Sequence, residues 1–304
     1  MPLLTLDIPN DDYIKETNAS NITLEDLIEE RFNDTNSRVV NFIREINLDV
    51  SSREQKDKDF FINRFREISQ NCKNKFIGHG TRKFDINPPN NPSYRGYVCI
   101  NENEIIKVIN CQCDIGSDFM VLKEIAFQKY AEELSLDCNF KTPIISEYGK
   151  FEVTNEILMD DPLFKKFKFN CFWYFIMNKL AYNNLKTALK NINLDNNNNC
   201  EIISQKLQNL KNCLETKDLY HNDFHEENIF LDDQTFDIGL IDYGEAELYS
   251  TKFKNEWNYP CEHLKKIKSN IGGKRKTKKR KNKKTRKYNN KKTKKNKNKK
   301  MSKY

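Results

Sequence analysis

The chain has 304 residues and 36.1 kDa, and its 37% hydrophobic and 32% charged content argues against an integral membrane protein. Its longest apolar run, Cys171 to Met177, is far shorter than the roughly 20 residues of a membrane span. The net charge of +8 conceals a division: residues 274–304 hold 19 Lys/Arg and no acid, which leaves 33 basic against 44 acidic residues, a net −11, elsewhere.

Residues 1–75 read as a helical N-terminal extension. Met1 to Asp7 shows neither the basic n-region nor the apolar core of a secretory signal. Thr23 opens a short helical pattern through Leu24, Leu27, Ile28 and Phe32. Val39, Val40, Ile43 and Ile46 mark a second stripe, and Phe61, Phe65 and Ile68 a third.

Residues 76–162 change character. Tyr94 to Ile100 and Glu104 to Ile109 are strand-like runs joined by Asn101-Glu102-Asn103, a hairpin turn. A helix fits Asp118 to Leu134, capped by Ser117 or Asp118. Two short strands, near Thr142–Ser146 and Phe151–Leu158, are expected around a turn at Tyr148-Gly149-Lys150.

Residues 163–271 begin mainly helical as far as 218, with Ile203, Leu207, Leu210 and Leu214 on one buried face. Two strand-like pieces follow, Ile229 to Leu231 and Ile238 to Ile241, around the turn Asp232-Asp233-Gln234. Residues 272–304 are low-complexity Lys/Arg/Asn, which cannot bury a core and is expected to be disordered. The fold class is α+β. The nine cysteines form no CxxC pair and the histidines number four, so reduced thiols in an intracellular compartment, cytoplasm or nucleus, are expected and a zinc site is not.

The chemistry concentrates in His221-Asn222-Asp223-Phe224-His225-Glu226-Glu227-Asn228 and in Ile241-Asp242-Tyr243-Gly244. Asp223 and Asn228 lie five residues apart in a loop after a helix, and Asp242 ends a strand ahead of a flexible Tyr-Gly pair. Two oxygen ligands beside a carboxylate base suit a magnesium–phosphate site, because Mg²⁺ takes a few protein oxygens and leaves its other positions to water and phosphate.

This HxDxxxxN and DxG pair resembles the signatures of the protein-kinase-like superfamily. The resemblance implies a two-lobed fold, with an N-lobe at 76–162 and a reduced C-lobe at 163–271, that uses ATP and Mg²⁺. By the same resemblance Asp223 is the catalytic base, Asn228 and Asp242 are the metal ligands, and His221 supports the loop. Gly244 would permit a backbone bend after the metal-binding Asp. Lys107, within Glu104 to Ile109, matches the lysine that pairs with the α/β-phosphates, and Glu124 is its helix partner. Gly78 and Gly80 would cradle phosphate, and Glu156 to Met159 would form the hinge against which adenine rests.

The chain departs from the family pattern in three places. The glycine-rich loop lacks its third glycine and is followed by the Pro-rich Asn87 to Pro92. His225 stands where Ser/Thr kinases usually have lysine, which is similar to aminoglycoside and choline phosphotransferases. Only about 30 residues separate Asp242 from the tail, with no convincing activation segment, and the reduced C-lobe is similar to that of RIO-type atypical kinases, whose metal motif differs from Asp242-Tyr243-Gly244. The expected activity is transfer of the ATP γ-phosphate to protein Ser/Thr, with a small-molecule hydroxyl or a noncatalytic pseudokinase binding module as alternatives. The 274–304 tail, if it has a partner, takes nucleic acid or another polyanion without sequence preference. Its composition is similar to that of large-DNA-virus proteins, for which the compartment would be the host cell or the virion.

Overall fold

The computed structural model describes residues 22–54, 58–71, 77–78, 94–161, 164, 167, 169–249 and 259–271. Gly80, the Pro-rich stretch and the basic tail, with the expectations attached to them, lie outside the described residues. Among the described residues eight helices accompany two antiparallel sheets, and no helix is long and apolar enough to cross a membrane.

Three helices come first: α1 (Leu24–Arg31), α2 (Arg38–Glu54) and α3 (Lys58–Asn71). A capping box starts α1, in which Thr23 Oγ1 accepts from the Asp26 amide at 3.2 Å and the Asp26 carboxylate accepts from the Thr23 amide at 2.7 Å. Val39, Val40, Ile43 and Ile46 of α2 are at most 1% exposed. They join one core with the long helix α4 (Ile115–Asp137). The guanidinium of Arg38 also grips Glu133 of α4 through two nitrogens, at 2.6 to 3.2 Å. The extension therefore packs on α4, and α3 packs on the sheet through Phe61 and Phe65.

The larger sheet runs β1 (Ile77–Gly78), β2 (Tyr94–Ile100), β3 (Glu104–Cys111), β5 (Cys171–Asn178), β4 (Ile145–Glu152) in spatial order, all antiparallel. The β2–β3 hairpin closes with the Asn101 amide donating to the Glu104 carbonyl at 2.8 Å. Three expectations fail in this half.

First, Cys171 to Met177 is a strand, where the sequence suggested helix. It lies between β3 and β4 with both faces covered, so its seven residues are all buried and show no alternation. A continuous apolar run carries no period by which to tell the two states apart. The division placed at 162/163 consequently cuts through this sheet.

Second, Tyr148-Gly149-Lys150 is no turn: one strand, β4, runs straight through it, and the strand expected over Phe151–Leu158 ends at Glu152, before a helix at Asn155–Asp160. A Cβ on Gly149 would come within 2.8 Å of the Tyr174 ring and 2.9 Å of Phe61, so the glycine marks a close approach of rings to the strand.

Third, the cap of α4 is Asp114, whose carboxylate accepts from the Ser117 amide at 2.8 Å. Asp118 instead binds Lys150 at 2.8 Å and Trp173 Nε1 at 2.7 Å, which fastens the first turn of α4 to the sheet.

After a short helix α5 (Asn155–Asp160) and β5, the chain enters β6 (Asn183–Asn184), α6 (Leu185–Asn191) and α7 (Asn197–Thr216). The smaller sheet is β6, β7 (Ile229–Leu231), β8 (Ile238–Leu240), and α8 (Cys261–Asn270) packs on α6 and α7. The segment after α4 joins the two halves: the Lys141 amide donates to the Ile238 carbonyl at 2.8 Å, and Leu240 returns a bond to Lys141 at 2.9 Å.

The cysteines correct the expectation of free thiols. Disulfides join Cys113 to Cys171, Cys138 to Cys213 and Cys200 to Cys261, at Cα–Cα distances of 5.3 to 5.5 Å. Their sequence separations of 58 to 75 residues form no local motif, so spacing could not reveal them. Closing a loop of that size removes roughly 4 kcal/mol of chain entropy from the unfolded state. Dithiothreitol is therefore expected to lower the urea midpoint of unfolding substantially. An unchanged midpoint would show that these sulfurs are thiols in solution.

Candidate active site

Lys107 lies on β3, between the apolar Ile106 and Val108, and projects from the opposite face of the strand to theirs. Its ammonium donates to the Glu124 carboxylate from α4 and lies 3.3 Å from Asp242 Oδ1. The Lys107 and Glu124 side chains are only 19% and 13% exposed. Burial opposes the lysine's charge, but the Glu124 and Asp242 carboxylates outweigh it and raise its pKa above the ordinary lysine value. The cation is fixed at neutral pH.

Asp242 follows β8 with a φ of 67°, the left-handed region that Asp and Asn tolerate best after glycine. The bend thus sits at Asp242 itself, whereas Gly244, expected to provide it, has no positive φ. A Cβ on Gly244 would stand 3.6 Å from both Asp242 Oδ1 and Glu124 Oε2, an ordinary contact. Nor is Tyr243 flexible: it is 1% exposed, and the Thr142 hydroxyl lies 3.4 Å from its own.

Asp223 and Asn228 share one loop between α7 and β7. The Asn228 amide nitrogen donates to Asp223 twice, to Oδ2 at 2.9 Å and to the carbonyl at 3.0 Å. The two residues therefore act as a unit, with the Asn228 amide oxygen on the other arm of the side chain. His225 places Nε2 3.6 Å from Asp223 Oδ2, while its Nδ1 accepts from the Glu227 amide at 3.1 Å.

The loop is tied to the Asp242 segment in two places. The Ile241 amide donates to the Asn228 carbonyl at 3.1 Å. His221 Nε2 donates to the Ile241 carbonyl at 2.9 Å, which fixes the neutral tautomer, since a carbonyl can only accept.

His221 is fully buried, and burial pulls its pKa down to about 4. The unfolded chain, near 6.5, then binds more protons than the folded one in the window between these values, and stability falls as pH drops through it. From pH 7 to pH 5 this residue is expected to cost about 2 kcal/mol. Urea titrations of wild type and His221→Gln at both pH values check this, because the variant should lose less.

Gly78 pairs with Tyr97 on β1, at the sheet edge. Glu156 is exposed on α5. The cleft between the two sheets, of about 260 Å³, is walled by Ile100 and Ile105 above and by Phe230 and Ile241 below. Lys179 to Asn184, the segment that follows β5, closes one side. The sequence reading missed this connector because it took β5 for part of a helical stretch and expected the cleft-side segment at Glu156 to Met159. A Leu180-to-Asn184 stretch leading into a helix whose cap is Asn184 was the available signal.

The oxygen donors suit a hard divalent cation. Asp242 contributes a half-exposed carboxylate and Asn228 an amide oxygen, a small all-oxygen set that leaves room for water and phosphate, as Mg²⁺ prefers.

No protein-family model and no curated protein sequence matches the chain. Among solved structures, a match is the PK-1 kinase of Cydia pomonella granulovirus, at 16% identity and a TM-score of 0.36. It covers 65% of this chain and 62% of that one, so the chain spans less than two thirds of the viral protein. A likeness this distant carries no argument about the activity of the chain.

Proposed function

We propose that the chain is an ATP-dependent phosphotransferase of the protein-kinase-like type, with protein Ser/Thr hydroxyls as its acceptors. The observation that carries this reading is the meeting of Lys107–Glu124 with Asp242, together with the backbone bond that ties the Asp242 segment to the Asp223–Asn228 loop. Phosphoryl transfer demands mainly positioning and charge neutralisation, and these groups supply both.

Lys107, held by Glu124, offers a fixed cation to phosphate oxygens. Asp242 and Asn228 would hold Mg²⁺, whose chemistry is to neutralise charge on the transferring group. Asp223, steadied by the Asn228 amide, accepts the proton of the attacking hydroxyl. His225 near Asp223 favours a second acceptor class, the small-molecule hydroxyl, because it resembles the DxHxxN loops of the aminoglycoside and choline phosphotransferases.

The test is transfer from γ-labelled ATP with Mg²⁺ to panels of proteins and metabolites. Wild type should transfer label. Asp223→Ala should keep nucleotide affinity and lose transfer by roughly 10²–10⁴-fold, the ordinary contribution of a positioned base. Wild type that binds Mg-ATP but modifies no acceptor would instead favour a noncatalytic binding module.

A further inference from the structure

The candidate site stands in a strongly acidic stretch. From Asp218 to Thr251 the chain has ten Asp/Glu and no Lys or Arg. Glu226 and Glu227 share the loop of Asp223, and Glu245 lies close enough to act on Glu124. Lys186 meets Glu227 at 3.0 Å, but the two side chains are 42% and 61% exposed, so a competing cation displaces that pair at little cost. Glu226 and Glu227 thus put carboxylates in the same loop as Asp223, while Lys186 and Lys123 offset part of the charge at Glu227 and Glu245.

The basic tail has the complementary chemistry, and it repeats. Taken in eights from residue 275, it carries Arg275-Lys276-Thr277-Lys278-Lys279, then Lys283-Lys284-Thr285-Arg286-Lys287, then Lys291-Lys292-Thr293-Lys294-Lys295. Each threonine follows two Lys/Arg and precedes two more, at the same place in every eight. A run that served only to carry charge would have no reason to hold a hydroxyl in register.

We propose that this site takes threonine set between paired Lys/Arg, and that Thr285 and Thr293 of the chain itself are such acceptors; this rests on the phosphotransferase reading. Threonine Oγ1 forms a bond to the γ-phosphorus of ATP. The bond from that phosphorus to the β–γ bridging oxygen breaks, ADP leaves with the electron pair, and the hydroxyl proton passes to the Asp223 carboxylate.

The start of α8 sets the reach. The Tyr259 hydroxyl donates to the Phe224 carbonyl at 3.0 Å, beside Asp223. The 10 residues of α8 then carry the chain about 15 Å. The tail thus leaves at most roughly 20–25 Å from the loop, counting the tyrosine side chain. At about 3.3–3.6 Å per residue, the six residues from Ile271 to Thr277 can span at most about 20 Å, less than that upper bound. Thr285 and Thr293, 14 and 22 residues past Ile271, span about 46 Å and 73 Å and reach with slack. Tethering also gives an effective concentration near millimolar.

The experiment incubates the full-length protein with Mg²⁺ and γ-labelled ATP and maps label by mass spectrometry. In parallel it offers three peptides: residues 281–298, the same segment with its Lys/Arg replaced by Gln, and a neutral Ser/Thr peptide mixture. Label is expected on Thr285 and Thr293 at a rate independent of protein concentration. Thr285→Val with Thr293→Val should cut self-labelling by roughly ten-fold, the share owed to tethered sites. The basic peptide should be preferred to the Gln peptide, with an advantage that shrinks as salt rises. Glu226→Gln with Glu227→Gln should raise KM for the basic peptide several-fold and spare kcat on the neutral mixture. Transfer to neutral peptides without tail label or basic preference would overturn this inference and leave the phosphotransferase reading standing. Transfer to nothing, with Mg-ATP bound, would overturn both.

Discussion

Asp242→Asn is expected to lower Mg-ATP-dependent transfer by roughly 10²–10³-fold while the protein stays folded. The change removes one negative charge from a site whose chemistry is charge neutralisation, and it alters almost nothing else. Asparagine tolerates a φ of 67° as aspartate does, so the backbone bend survives. The side chain is 40% exposed, so little packing depends on it. Lys107 keeps its pairing with Glu124. Unfolding curves for both proteins should coincide, and an Mg²⁺ titration should show residual transfer saturating only at higher Mg²⁺ than in wild type. Full turnover in the variant would remove Asp242 from the metal-holding role.

Glu124→Ala should have the largest effect on stability of any single change at the site. It leaves the Lys107 ammonium, more than four-fifths buried, with only the half-exposed Asp242 carboxylate 3.3 Å away. Breaking a buried ion pair by deleting one partner costs about 3–5 kcal/mol when the other charge is left uncompensated, and the remaining Asp242 carboxylate puts this case at the low end. Transfer should fall as well, since nothing then aims the lysine. A double variant separates the two effects. Lys107→Met with Glu124→Leu leaves no buried charge and should regain most of the stability, yet it should transfer no better than the single variant. A double variant that regains transfer would mean that the pair is only a structural contact.

Some of this molecule is written in short stretches of its sequence. The β2–β3 hairpin needs only two strand-like runs and the turn that begins at Asn101, and the Thr23–Asp26 box starts α1 within four residues. The stripe Ile203, Leu207, Leu210, Leu214 likewise lies on one buried face of α7. The five-residue spacing of Asp223 and Asn228 is local too, and the loop folds those side chains onto each other. In each case the deciding interaction spans a few residues, so pattern and propensity suffice to specify it.

Other features depend on what the chain meets after it folds. The run Cys171 to Met177 becomes a strand because β3 and β4 cover both of its faces, and with that decision the cleft-side connector moves from Glu156 to Lys179–Asn184. Gly149 sits inside a strand because two rings crowd it from distant segments. Tyr243 is buried because Thr142, a hundred residues upstream, supplies its polar partner. The cysteine pairs and the meeting of Lys107 with Asp242 likewise join residues far apart in the sequence. Period and spacing report only on the near neighbours of a residue. Which surfaces finally face each other is set by packing of the whole, and that packing alone brought these groups within bonding distance.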